Sequence, residues 1–130
     1  MTLEITCTEL LELSKKNKGA TLLDVRTEAE WNVDGKPNGK ELGLNTYFIS
    51  YLLDTKNGRE PNPDFETTVE NLDIDKNKVV FVMCKSGMRS SKVAQILDQK
   101  GYKTYSVING FVCSEEVEPS CWKTSGLPTL

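Results

Sequence analysis

The stretch Val79-Val80-Phe81-Val82-Met83-Cys84-Lys85-Ser86-Gly87-Met88-Arg89-Ser90-Ser91 constrains this chain more than any other. An apolar run of strand length ends on a cysteine. A short loop containing Gly87 follows, Arg89 closes it, and a helical pattern begins at once. This order places a thiol at the C-terminal edge of a sheet, facing the positive end of a helix. The loop N–H groups and the helix dipole both favour an anion there. Lys85 and Arg89 add two cations, and a thiolate, the reactive form of cysteine, is stabilised in such surroundings. A strand-end cysteine on its own is more often a small buried hydrophobe. Strand, loop, arginine and helix in register mark Cys84 as the candidate nucleophile.

The 130 residues fit one domain, 1–130, with a single substantial core. Hydrophobic content of 38% and charged content of 27% are those of an ordinary soluble protein. The net charge of −3 and the lack of a clustered Lys/Arg tract argue against nucleic-acid or anionic-membrane partners. The opening Met1-Thr2-Leu3-Glu4-Ile5 has neither a basic region nor a long apolar run, and no stretch reaches spanning length, so a cytoplasmic protein is expected. Four cysteines, at positions 7, 84, 113 and 121, lack Cys-x2-Cys spacing, and the chain contains no histidine. Neither a metal site nor another cofactor is expected. Without histidine there is no Cys-His or Ser-His pair, so the loop itself must activate Cys84.

Thr6-x-x-Glu9 has the spacing of a capping box, followed by Cys7, Leu10 and Leu11 on one helical face. Cys7 therefore reads as core. Thr21 to Arg26 reads as a buried strand ending in charges, where α/β proteins place their sites. Asn32 to Gly43 reads as loop, and a strand is expected near Thr46–Ile49. Gly58, Pro61 and Pro63 predict a long exposed loop from Thr55 to Pro63. Asp64 is placed to cap a short helix carrying Phe65, Val69 and Leu72. Val79–Cys84 is the central strand. Ser90–Lys100 is a helix with Val93, Ile96 and Leu97 on one face and Gly101 at its exit. Thr104–Ile108 is the next strand. Strands alternating with helices imply an α/β fold with a largely parallel sheet covered on both faces.

These residues resemble the single-domain rhodaneses. Leu22-Leu23-Asp24-Val25-Arg26-Thr27-Glu28-Ala29-Glu30-Trp31 is similar to their first signature, and Cys84-Lys85-Ser86-Gly87-Met88-Arg89-Ser90 to their active-site loop. Tyr102 to Gly110, then Trp122 with Gly126-Leu127-Pro128, resemble their closing signature. The resemblance implies a three-layer fold and a sulfurtransferase. Cys84 would take a sulfane sulfur from a donor such as thiosulfate, become a persulfide, and pass the sulfur to cyanide, a thiol or a sulfur-accepting protein. It implies a substrate-binding loop of Lys85, Ser86, Gly87, Met88, Arg89 and Ser90, supported by Asp24 and Arg26. Two departures stand out. Gly35-Lys36-Pro37-Asn38-Gly39 replaces the usual Gly-His-Ile-Pro-Gly and is followed by an insertion. A second segment, with Cys113, Glu115, Glu116, Glu118, Pro119 and Cys121, separates Gly110 from Trp122. Both are placed to line the pocket mouth and alter the substrate.

Two other functions compete. Cysteine phosphatases of related fold have a loop one residue longer between Cys and Arg, with room for phosphate. Here Lys85, Ser86, Gly87 and Met88 alone intervene, which suits a single sulfur atom better. Non-catalytic rhodanese-like interaction modules often lack the cysteine that this chain keeps. Asp24 has two readings: a strand-end carboxylate capping a loop or, as the resemblance favours, a partner of Arg89. Arg26 and Glu30 read as structural ion pairs at the same sheet edge, and Trp31 and Trp122 as core or pocket-wall aromatics. Cys113 and Cys121 either pack the C-terminal extension or supply a second thiol, as sulfur acceptor or in a disulfide formed on oxidation. A reducing cytoplasm disfavours a permanent one.

Overall fold

The computed structural model describes residues 3–85, 87–113 and 116–130. Parallel strands dominate: β1 (Leu3–Ile5), β2 (Thr21–Asp24), β3 (Asn45–Phe48), β6 (Val79–Met83) and β7 (Lys103–Val107) form a five-stranded sheet in the order β1-β7-β6-β2-β3. Every pairing in it is parallel. β6 is the middle strand, as its unbroken apolar run requires, and Val80 to Met83 are fully buried.

Helices cover both faces. On one, α1 (Cys7–Lys16) brings Cys7 and Leu10 into a core with Leu22, Phe81, Met83, Phe111 and Trp122. On the other, α3 (Phe65–Asn71) and α4 (Met88–Gln99) bury Phe65, Val69, Val93, Ala94 and Leu97 against Leu23, Val25, Val80 and Val82. The three-layer α/β architecture is the expected one. Among the described residues no helix is long and apolar enough to cross a membrane.

The Thr6/Glu9 capping box forms as its spacing predicts. The same Thr-x-x-Glu spacing recurs at Thr27 and Glu30, where it starts α2 (Glu28–Asp34), so the expected loop at Asn32–Gly43 begins inside a helix and also contains a 3-10 turn, Gly39–Leu42. The expected loop at Thr55–Pro63 is instead an antiparallel hairpin of β4 (Leu52–Thr55) and β5 (Gly58–Pro61). Asn57-Gly58 is its sequence signal, with Gly58 at φ +103° and Thr55 Oγ1 donating to the Gly58 carbonyl at 2.9 Å. Asp64 occupies the cap position of α3 but makes no side-chain cap bond. α4 begins two residues before its expected start, with Gly87 as N-cap. Within it, Ile96 is only half-buried while Ala94 joins Val93 and Leu97 inside.

Candidate active site

The chain turns out of β6 at Cys84, at the carboxyl ends of the parallel strands, where Asp24 of β2 lies in register with Met83. A strand leading straight into a helix N-terminus leaves Gly87 to make the turn. Its φ of +106° is one a side-chain-bearing residue rarely adopts. The Gly87 amide donates to Cys84 Sγ at 3.0 Å, and Sγ contacts Ser90 Oγ at 3.5 Å. Ser90 Oγ donates to the Gly87 carbonyl at 3.1 Å and lies 2.9 Å from Ser106 Oγ of β7. The sulfur therefore sits over the first turn of α4, held by one backbone amide and a buried pair of hydroxyls. Cys84 itself is 1% exposed.

Of the other expected loop residues, Lys85 is exposed, Met88 is 74% exposed, and Ser86 lies outside the described residues. Arg89 turns away from solvent to Glu30: Nη1 donates to Oε1 at 2.6 Å and Nη2 to Oε2 at 2.9 Å. A cation in the first turn of a helix is opposed by the helix dipole, and the Glu30 carboxylate offsets that. Burial pushes the Glu30 carboxyl up. The Arg89 and Thr27 hydrogen bonds, with the Arg89 and Arg59 charges, outweigh it and hold the group at about 2. Arg89 is raised in turn, chiefly by its hydrogen bonds to Glu30, with a smaller contribution from the nearby Cys84 and Asp24 charges.

The expected Asp24–Arg89 pair is therefore not formed. Arg26 takes Asp24 instead, through Nη2 to Oδ2 at 2.7 Å and Nε to Oδ1 at 3.0 Å, and both side chains are fully buried. Residues i and i+2 of an extended chain point the same way, so Arg26 reaches Asp24 locally. Arg89 is left to the carboxylate that the second capping box aims at it. Arg26 is also tied to the Gly35 carbonyl at 2.9 Å, and its guanidinium lies 4.2 Å over the Phe111 ring.

Phe111 carries that support to the loop, since its amide donates to the Cys84 carbonyl at 2.9 Å. Beside it, Gly110 has φ +50°, and a Cβ there would overlap the Cys84 carbonyl oxygen. Residues 110–111 pair with 122–123 through Trp122 N to Gly110 O at 2.9 Å and Lys123 N to Phe111 O at 3.2 Å. Cys113 and Cys121 close this ribbon with a disulfide, their Cα atoms 5.9 Å apart. In this structure the extension therefore carries no second free thiol. Glu115 lies outside the described residues. Cys7 is core, as expected; burial pushes its thiol up to about 12. Trp122 is also core, its Nε1 donating to the Pro128 carbonyl at 2.8 Å.

The insertion after α2 places Arg59 of β5 near the site, 3.4 Å from Glu30 Oε1 and 3.3 Å from Asp54 Oδ1. Between α2 and the hairpin lies a cleft of about 540 Å³, walled by Trp31, Ser50, Leu52 and Leu53 among others; Cys84 is not in its lining. Sequence reasoning placed Gly110 at the end of a signature without giving it a role, missed Ser106 and Arg59 as site residues, and gave Glu30 no specific partner. Only Glu30 carried a local signal, the Thr27-x-x-Glu30 spacing.

Comparison with known proteins agrees with this geometry. An uncharacterized protein of Rickettsia conorii is 31% identical over 95% of this chain and 94% of its own length. Thiosulfate sulfurtransferase 18 of Arabidopsis thaliana is 31% identical over 78% of each chain. A crystal structure of a protein from M. tuberculosis superimposes with a TM-score of 0.82 at 29% identity, covering 98% of this chain and 96% of the other. The rhodanese-like domain profile matches residues 6–112, from the first capping box to the residue after Phe111, and the chain belongs to that family.

Proposed function

We propose that the protein is a sulfurtransferase in which Cys84 carries a sulfane sulfur as a persulfide. The Cys84 thiolate attacks the outer sulfur of thiosulfate or a similar donor. The S–S bond of the donor breaks, sulfite leaves with the bonding pair, and Cys84–S–S⁻ remains. Cyanide in the test tube, or a thiolate in the cell, then attacks the terminal sulfur and returns Cys84 as a thiolate. Family membership supports sulfur transfer in general; the thiosulfate donor, the persulfide and a cytoplasmic setting belong to this reading.

The Gly87 amide on Cys84 Sγ carries the proposal. It offers a donor to the thiolate before transfer and to the sulfur chain after it, at a helix N-terminus that favours either anion. The chain has no histidine to act as base, so the anion relies on these dipoles. A phosphatase reading is weaker on two counts. The loop is one residue short, and both Nη atoms of Arg89 are already taken by Glu30.

Intact mass after incubation with thiosulfate tests the proposal. One added sulfur is expected, lost on addition of cyanide and absent in Cys84→Ser. An unchanged mass, or an adduct that survives in Cys84→Ser, would refute it. Hydrolysis of p-nitrophenyl phosphate that disappears in Cys84→Ser would favour the phosphatase.

A further inference from the structure

We propose that Arg59, on the inserted hairpin, sets the preference of the Cys84 site for anionic over neutral reaction partners. Glu30 Oε1 already accepts from Arg89 at 2.6 Å, from the Thr27 amide at 3.1 Å and from the Thr27 hydroxyl at 3.2 Å. A carboxylate oxygen has about two lone-pair sites, so Arg59, at 3.4 Å, is a surplus fourth neighbour. Its other contact, to Asp54, is 3.3 Å long and joins two half-exposed side chains. Long, exposed ion pairs of this kind hold a side chain weakly.

The charges divide accordingly. Arg89 holds Glu30 through the short, two-pronged contact, and the Arg59 charge is spread over longer contacts to Glu30 and Asp54. The Arg59 side chain is 44% exposed and lies beside Glu30, which clamps the catalytic loop through Arg89. It is therefore a cation able to turn toward an arriving anion without undoing the clamp. Lys85 and Arg89 come from the loop itself, whereas Arg59 comes from the insertion, so selectivity is adjustable without altering the loop. On the sulfurtransferase reading, on which this inference rests, the partners so favoured are sulfur donors or acceptors bearing sulfonate or carboxylate groups.

Alkylation of Cys84 tests the inference without requiring sulfur transfer, because iodoacetate is anionic and iodoacetamide neutral. The rate ratio, iodoacetate over iodoacetamide, is measured by mass at Cys84 in the parent, Arg59→Ala and Arg59→Lys. Arg59→Ala is expected to lower the ratio about five-fold, and Arg59→Lys to stay within about two-fold of the parent. Added salt is expected to lower the ratio in the parent more than in Arg59→Ala. An unchanged ratio in Arg59→Ala, or equal slowing with both reagents, would overturn the inference and leave Arg59 as a hairpin brace. Failure of the parent to gain sulfur from thiosulfate would count against the proposed activity and leave this ratio standing.

Discussion

Arg26 and Arg89 each hold a carboxylate in a two-pronged grip, and the two pairs brace the Cys84 loop from different sides of the molecule. The Arg26–Asp24 pair is sealed from solvent and reaches the loop through the Phe111 ring, on the α1 side of the sheet. The Arg89–Glu30 pair retains 13% and 8% side-chain exposure and joins the first turn of α4 to the first turn of α2. A sealed pair gains little net stability, because desolvation offsets the attraction, yet it is severely costly to break. The partly open pair can be titrated. One brace is thus a fixed part of the fold, while the other is sensitive to its medium.

Breaking the sealed brace should have the largest effect. Asp24→Ala leaves the Arg26 charge buried and unpaired, and denaturant unfolding should show a loss of about 3–5 kcal/mol. Stability within about 1 kcal/mol of the parent would mean that Arg26 finds another partner and that the two braces do not differ.

The open brace should respond to acid. The Glu30 carboxyl is at about 2 in the folded protein, against roughly 4.3 in an unfolded chain. Because the folded value is the lower, the stabilisation is complete above about 4.3 and is lost as pH falls toward 2, amounting to about 3 kcal/mol. Glu30→Gln should start about 2–3 kcal/mol lower and lose less over that interval. Its sulfur transfer should fall at least ten-fold, because Arg89 and the loop lose their anchor. Parallel pH–stability curves for parent and variant would place the acid sensitivity elsewhere.

The smallest effect belongs to the ribbon behind the sealed brace. Cys113 and Cys121 are eight residues apart, and closing so short a loop contributes roughly 2.5 kcal/mol by chain entropy. A Cys113→Ser, Cys121→Ser double variant should lose about that much stability and transfer sulfur to thiols within about two-fold of the parent. A larger loss of thiol transfer would show that the ribbon behind Phe111 is needed to hold the Cys84 loop in its working geometry.

The parts of the site legible in the sequence are those made by neighbours along the chain. Val79–Ser91 announced its strand, turn and helix because each element has its own periodicity and Gly87 sits where they meet. β1 went unread because three residues carry no pattern, and only the pairing with β7 defines it. The partners of the arginines divide on the same principle. Asp24–Arg26 is a local relation that strand alternation could have revealed. Arg89 lies 59 residues from Glu30, a distance only the completed sheet closes. Gly110 was similarly opaque: its need to be glycine comes from the Cys84–Lys85 peptide packed against it.

The distribution of sulfur atoms has an analytical consequence. With Cys113 and Cys121 joined and Cys7 sealed in the wall at about 12, a thiol reagent added to the native protein has one sulfur to react with, at Cys84. Reagent consumed per chain then counts Cys84 alone, because a thiolate and the persulfide of the proposed mechanism are both nucleophilic and each takes one equivalent. On that mechanism, an alkylated chain heavier by one sulfur, and returned to the lighter mass when cyanide precedes the reagent, was isolated already loaded. The fold thus lets one labelled position report, by mass, the share of chains that carried sulfur.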